Sequence, residues 1–178
     1  MYQTVIDFWF QETEPSFWWK KDEAFDQLIG ERFGELLWQA SQCELYGWRT
    51  TAAGRLAEVI VLDQFSRNVY RDTAAAFAQD PLALALAQEA VRMGALDELS
   101  ETEQTFLLMP YMHSESPVIH VEAEILFRKF APAGNHDFEL KHKTIIDRFG
   151  RYPHRNVILG RQSTEEELAF LTQPGSSF

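Results

Sequence analysis

Apolar residues in this 178-residue chain return at three- and four-residue steps, and nowhere do they alternate with polar ones between hairpin turns such as Asn-Gly or Asp-Gly. That pattern predicts an all-α fold. From Asp22 to Cys43 the apolar positions are Phe25, Leu28, Ile29, Phe33, Leu36, Leu37 and Ala40, one face of a long helix. Val5, Ile6, Trp9 and Phe10 mark a shorter helix before it. The Glu14-Pro15 step ends that helix, because proline disfavours helical geometry in the residue ahead of it. A third helix is predicted from Thr51 to Asn68, with Leu56, Ile60, Val61 and Phe65 facing inward.

Punctuation delimits the rest. Asp80-Pro81 reads as a cap followed by proline in the first turn, opening a helix through Met93 that Gly94 closes. Ser100 and Glu103 match a capping box, for a helix ending near Met109-Pro110. Ser116-Pro117 opens another, reaching Phe130. The stretch Pro132-Ala133-Gly134-Asn135 reads as a loop, after which Asn135 or Asp137 caps a helix ending at Phe149-Gly150. Ser163 with Glu166 forms a second capping box for the last helix. The expectation is one domain over residues 1–178, with about seven to nine helices as antiparallel neighbours or stacked hairpins.

A chain with 46% hydrophobic residues, including 14 Phe, 5 Trp and 5 Tyr, has enough apolar surface to fold on its own. Trp9, Trp18 and Trp19 are expected to pin the N-terminal segment to the bundle. A net charge of -11 and a pI near 4.9 disfavour binding to nucleic acid or to an anionic membrane. Cys43 is the only cysteine, which excludes an internal disulfide and is expected to be a buried, inert thiol. Neither a basic start ahead of an apolar run nor a membrane-length apolar stretch appears, so a cytoplasmic location is expected.

Three polar blocks are the candidate functional positions. In the first, Asp63 and Arg67 are four apart on one helical face, with Gln64 and Asn68 in a parallel row. The second, Pro110-Tyr111-Met112-His113-Ser114-Glu115, is expected in a turn between two helices, where His113 is a candidate general base oriented by Glu115 or Asp63. The third spans Arg148 to Arg161 and holds four of the eleven arginines, His154, and no acid. Guanidinium forks on a turning backbone suit a carboxylate or phosphate, or else they neutralise Asp63, Glu115 and neighbouring acids in an internal network. No metal site is expected: His120 and Glu124 are four apart on a helix, but there is no His-Glu-x-x-His or cysteine pair. No cofactor is expected either, since phosphate-cradling and dinucleotide motifs are missing.

Five motifs together resemble one family. They are Phe8-Trp9-Phe10, Trp18-Trp19, Leu62-Asp63-Gln64-Phe65-Ser66-Arg67-Asn68, Tyr111-Met112-His113-Ser114-Glu115, and Arg148-Phe149-Gly150-Arg151-Tyr152-Pro153-His154-Arg155-Asn156. The chain resembles the bacterial domain-of-unknown-function 924 family over nearly its whole length. The resemblance implies an all-α, tetratricopeptide-like fold and carries no established activity. Ser66 stands where that family commonly has proline, and Ser116 where it commonly has an acid.

Three functions follow as expectations. The first is a cleft binding a small anionic ligand or an acidic chain end, built from Asp63, Gln64, Arg67, Asn68, Arg148, Arg151, Arg155 and Asn156 together with His113, Glu115 and His154. The second is an enzyme at the same cleft, with His113 or His154 as general base, Glu115 as its orienter, and arginines stabilising negative charge. The third is a scaffold that binds protein partners and keeps its polar blocks structural. A cleft requires the three blocks to converge; a scaffold requires an exposed apolar groove elsewhere.

Overall fold

The computed structural model describes residues 1–177, so Phe178, the end of the expected domain, lies outside the described residues. Helices α1 (Tyr2–Asp7), α2 (Glu23–Ser41), α3 (Ala52–Ile60), α4 (Ser66–Val69), α5 (Asp80–Arg92), α6 (Glu101–Met112), α7 (Pro117–Phe130), α8 (Ala133–Phe149) and α9 (Glu165–Leu171) follow one another. No strand occurs among the described residues. None of their helices is long and apolar enough to cross a membrane.

Side-chain caps set several of the helix starts. Asp22 accepts from the Phe25 N–H at 3.0 Å to start α2, and Thr51 accepts from Gly54 N–H at 3.0 Å to start α3. Ser100 and Glu103 form the expected capping box of α6. The final box is displaced by one residue, to Thr164 and Glu167. Ser163 is instead an acceptor for the Asn156 amide at 3.0 Å. Asp80 is the first residue of α5 rather than its cap, because its carboxylate is drawn to Arg67 and Arg155.

Two prolines and the cysteine depart from the sequence expectation. Pro110 lies inside α6, which continues to Met112. Proline removes one amide donor there, in the last turn, while Leu107, Leu108, Met109, Tyr111 and Met112 are all buried by continuing the helix. Pro132 sits directly before α8, so the anticipated loop Pro132-Ala133-Gly134-Asn135 is the entry and first turn of the helix. The amides of a first turn have no helical acceptor in any case, which makes that position tolerant of turn-forming residues. Cys43 is exposed rather than buried, in a left-handed conformation (φ 60°) just after α2.

The third predicted helix runs from α3 into α4 without a break but widens at Val61–Phe65 into a π turn. A second π turn, Phe8–Glu12, extends α1. The chain packs around α3: α1, α5 and α6 lie against it, while α2 covers the π turn and α4. Within this core the Trp9 ring lies 5.6 Å from both Phe65 and Phe106, and Phe33 lies 4.9 Å from Phe65. Trp18 donates its indole N–H to the Trp9 carbonyl at 3.1 Å, and Trp19 stacks on Phe106 from a mostly exposed position.

From α5 onward each helix packs on the next, through α6 and α7 to α8. A smaller apolar cluster of Ile145, Ile146 and Tyr152 lies beyond, with Phe149 and Phe170 against it. Buried polar bonds join it to α6 and α7. Tyr152 donates its hydroxyl to the Met112 carbonyl at 2.5 Å, and His120 bridges Glu139 at 2.7 Å and the Ser114 carbonyl at 2.8 Å. Burial pushes the Glu139 carboxyl above its usual range against the pull of His120.

Gly54 tests the packing at the start of α3. A Cβ there would stand 2.0 Å from the Trp48 carbonyl oxygen, whereas one at Gly134, in the first turn of α8, would meet nothing within 4 Å. Gly54→Ala is predicted to destabilise by roughly 1–3 kcal/mol, as overpacking does, and Gly134→Ala to stabilise by roughly 0.4–1 kcal/mol. Urea unfolding of the two variants checks both signs.

Candidate functional site

The π turn after α3 sets the site by aiming Asp63 into the interior, where its side chain is fully buried. Three neighbours satisfy the carboxylate. Arg67 donates from Nη1 at 3.1 Å, Gln64 from Nε2 at 2.6 Å, and His113, at the end of α6, meets Oδ1 through Nδ1 at 2.8 Å. Burial opposes ionisation of Asp63, but the Arg67 and His113 contacts outweigh it and hold the carboxyl well below its usual range. Asp63 is therefore an acceptor, and the His113 Nδ1 carries the proton donated to it. Burial, reinforced by the charge of Arg67, pushes His113 below the usual histidine range despite the pull of Asp63. The ring is neutral near pH 7, and its Nδ1 contact to Asp63 is the one side-chain hydrogen bond it makes among the described residues, which leaves Nε2 unengaged there.

Arg67 continues the line outward. It donates from Nη1 and Nη2 to both oxygens of Asp80 at 2.8 and 2.9 Å, and from Nη1 to the Asp63 carbonyl at 2.9 Å. Asp80 in turn accepts from Arg155 Nη1 at 3.3 Å. The result is an alternating chain, His113, Asp63, Arg67, Asp80, Arg155, drawn from α6, the π turn, α4, α5 and the Pro153–Arg155 turn. Arg155 ends it poorly paired. Among the described residues the only hydrogen bond of its side chain is the 3.3 Å contact to Asp80, and its Nε is buried with no partner there. The guanidinium lies between two aromatic rings, 4.6 Å from the Phe77 centroid and 4.5 Å from that of Tyr152. Burial, with Arg67 nearby, lowers its pKa.

A cleft of about 380 Å³ opens against the two ends of this chain. Asp80, His113, Ser114, Glu115 and Arg155 line it, and the rest of the wall is apolar, including Phe77, Leu84, Pro110 and Leu159. Glu115 is engaged: Arg161 binds both its oxygens at 2.6 and 2.9 Å, and the Tyr152 N–H donates to it at 2.7 Å. Asp63, not Glu115, thus orients His113.

The candidates separate accordingly. His113, Glu115 and Arg155 line the cleft, while Asp63 and Arg67 stand behind its wall, bonded to His113 and Asp80, with Gln64 supporting Asp63. Asn68 points the other way, donating to Asp26 at 2.7 Å beside the Arg71–Asp26 pair, and so ties α4 to α2. Arg151 grips Glu167 at 2.6 and 2.8 Å, and Asn156 accepts from Arg161 at 3.0 Å and donates to Ser163. Both serve to knit the C-terminal turns to α9. Arg148 pairs with Glu166 at 2.8 Å on the surface. His154 faces the Tyr152 ring at 5.5 Å and is not part of the cleft wall. Asp80, read in the sequence only as a helix cap, and Phe77 were not among the candidate site residues. The usable signal for Asp80 was an acid at a helix start in a chain whose third polar block, rich in arginine, had no acid of its own. No three His, Cys, Asp or Glu side chains among the described residues form a metal-holding group.

The contrast between the buried and the surface pairs is measurable. Asp63→Ala removes the buried carboxylate that Arg67, Gln64 and His113 all bond, leaving Arg67 with Asp80 as its one acid, and is predicted to cost roughly 3–5 kcal/mol, against roughly 0–1 kcal/mol for Arg148→Ala, in chemical denaturation.

The sequence matches the model of a family described as bacterial protein of unknown function (DUF924) over residues 5–175. It is also similar to a solved protein of unknown function, ATU0120 from Agrobacterium tumefaciens, at 38% identity, with a TM-score of 0.91 and 96% of each chain covered. No curated protein matches it. The resemblance carried by the five motifs therefore holds, and the chain belongs to the DUF924 family.

Proposed function

We propose that the protein binds a small amphipathic anion, or the acidic end of a chain, in the cleft beside Arg155. The observation that carries this reading is the state of Arg155: a buried guanidinium on the wall of an otherwise largely apolar cleft, with one long hydrogen bond and an unpartnered Nε. An unsatisfied buried donor costs about 1–3 kcal/mol, which an anionic oxygen accepting from it recovers. The two ring faces hold the guanidinium in place before a ligand arrives. Apolar walls favour a ligand with a hydrocarbon body over a bare inorganic ion.

A second reading, catalysis at the same cleft, is favoured by the pairing of His113 with Asp63. A carboxylate on Nδ1 and an unengaged Nε2 make the arrangement of a general base. In this reading His113 is the base, Asp63 its orienter, and Arg155 the group that steadies negative charge. A cytoplasmic location and a tetratricopeptide-like order of helical hairpins are parts of the same proposal. The sequential packing of α5 through α8 supports the latter.

Thermal unfolding in the presence of octanoate or of 1-octanol, for the wild type and Arg155→Met, tests the anchor. A ligand at 100 times its dissociation constant stabilises the native state by about 2.7 kcal/mol. Octanoate is expected to raise the wild-type midpoint, octanol to raise it less, and Arg155→Met to remove the difference. Equal effects of acid and alcohol on the wild type, or no effect of either, contradict the reading.

A further inference from the structure

The two ends of the alternating chain offer a ligand opposite things. Arg155 presents N–H donors and nothing else. His113 presents a lone pair, because its Nδ1 proton is given to Asp63 and the neutral ring keeps Nε2 as an acceptor. The other acceptors on the wall are occupied: Asp80 by Arg67 and Arg155, and Glu115 by Arg161 and the Tyr152 amide. Ser114 contributes its hydroxyl oxygen as the acceptor for the Ser116 N–H at 3.3 Å. An anion with no donor of its own would satisfy Arg155 and leave Nε2 shut off from water and unpaired. A fully deprotonated phosphate would also set an oxygen lone pair against it.

We propose that the ligand is bifunctional, an apolar hydroxy or amino acid whose carboxylate is held by Arg155 and whose hydroxyl or amine donates to His113 Nε2. This rests on the anchor reading above and narrows its ligand class. The hydrocarbon body lies along Phe77, Leu84, Pro110 and Leu159, between the two polar ends. Should the cleft be catalytic, the donated proton is the one His113 is placed to accept.

The probes are octanoate and its 2-, 3- and 4-hydroxy derivatives, measured by calorimetry on the full chain, with His113→Phe as the variant. A single added hydrogen bond corresponds to about a tenfold gain in affinity. At least one hydroxy isomer is expected to bind about tenfold more tightly than octanoate, and the difference between the two is expected to vanish in His113→Phe. In the wild type, the His113 Nε2 nitrogen resonance should shift with that isomer and not with octanoate, a readout that does not depend on the variant folding. Octanoate binding through Arg155 with no gain from any hydroxyl, or a gain that leaves the Nε2 resonance unmoved, overturns this inference and leaves the anchor intact. Binding of neither octanoate nor any hydroxy isomer overturns both.

Discussion

A carboxylate with no solvent contact, Asp63, sits where α3 turns into α4, and the fold around it is arranged so that it can remain ionised. Burying a charge is costly unless it is paired and hydrogen-bonded on every side. Here the pairing reaches in several directions: along its own helix to Arg67, next door to Gln64, and across the core to His113. Arg67 then carries the requirement on to Asp80, which fixes the start of α5 and brings Arg155 in from the C-terminal turns. One buried charge thus couples four stretches distant in sequence: the helix running from α3 into α4, α5, the end of α6 and the C-terminal turns.

The arginine block divides by which acid is within reach. Arg151 has Glu167, Arg161 has Glu115 and Arg148 has Glu166, each as its own partner. Arg155 alone among the four shares its acid, and Asp80 is already bound through both oxygens to Arg67. The arginine next to the cleft is therefore the one with donors to spare. The internal network expected of the block is formed by Arg148, Arg151 and Arg161, and the proposed anion site rests on Arg155. The network holds the turns rigid, and that rigidity keeps an under-paired guanidinium at the surface of an apolar cleft.

Much of the fold was legible because its signals are local. The helical repeat of Phe25, Ile29, Phe33 and Leu37, the capping box at Ser100 and Glu103, and the stop at Gly150 each depend on residues a few positions apart. Pro110 and Pro132 misled for the same reason: proline's restriction is local, but burial of the last turn of α6 and the tolerance of a first helical turn decided those boundaries. At the site, the four-residue spacing of Asp63 and Arg67 was visible. The partnership of Arg155 with Asp80 joins residues 75 positions apart, and no spacing rule announces it. Cys43 was misplaced because its apolar character suggested burial, whereas the left-handed turn after α2 turns it outward.

The account stands on Asp63 being ionised and fixing the His113 tautomer. Long-range nitrogen–proton correlation spectra of the ring, recorded on the free protein from pH 8 down to pH 5, observe this directly. The predicted result is a neutral His113 protonated on Nδ1 at pH 7, staying neutral below the ordinary histidine value of 6.5. A ring protonated on Nε2 at pH 7, or one already cationic there, would contradict it.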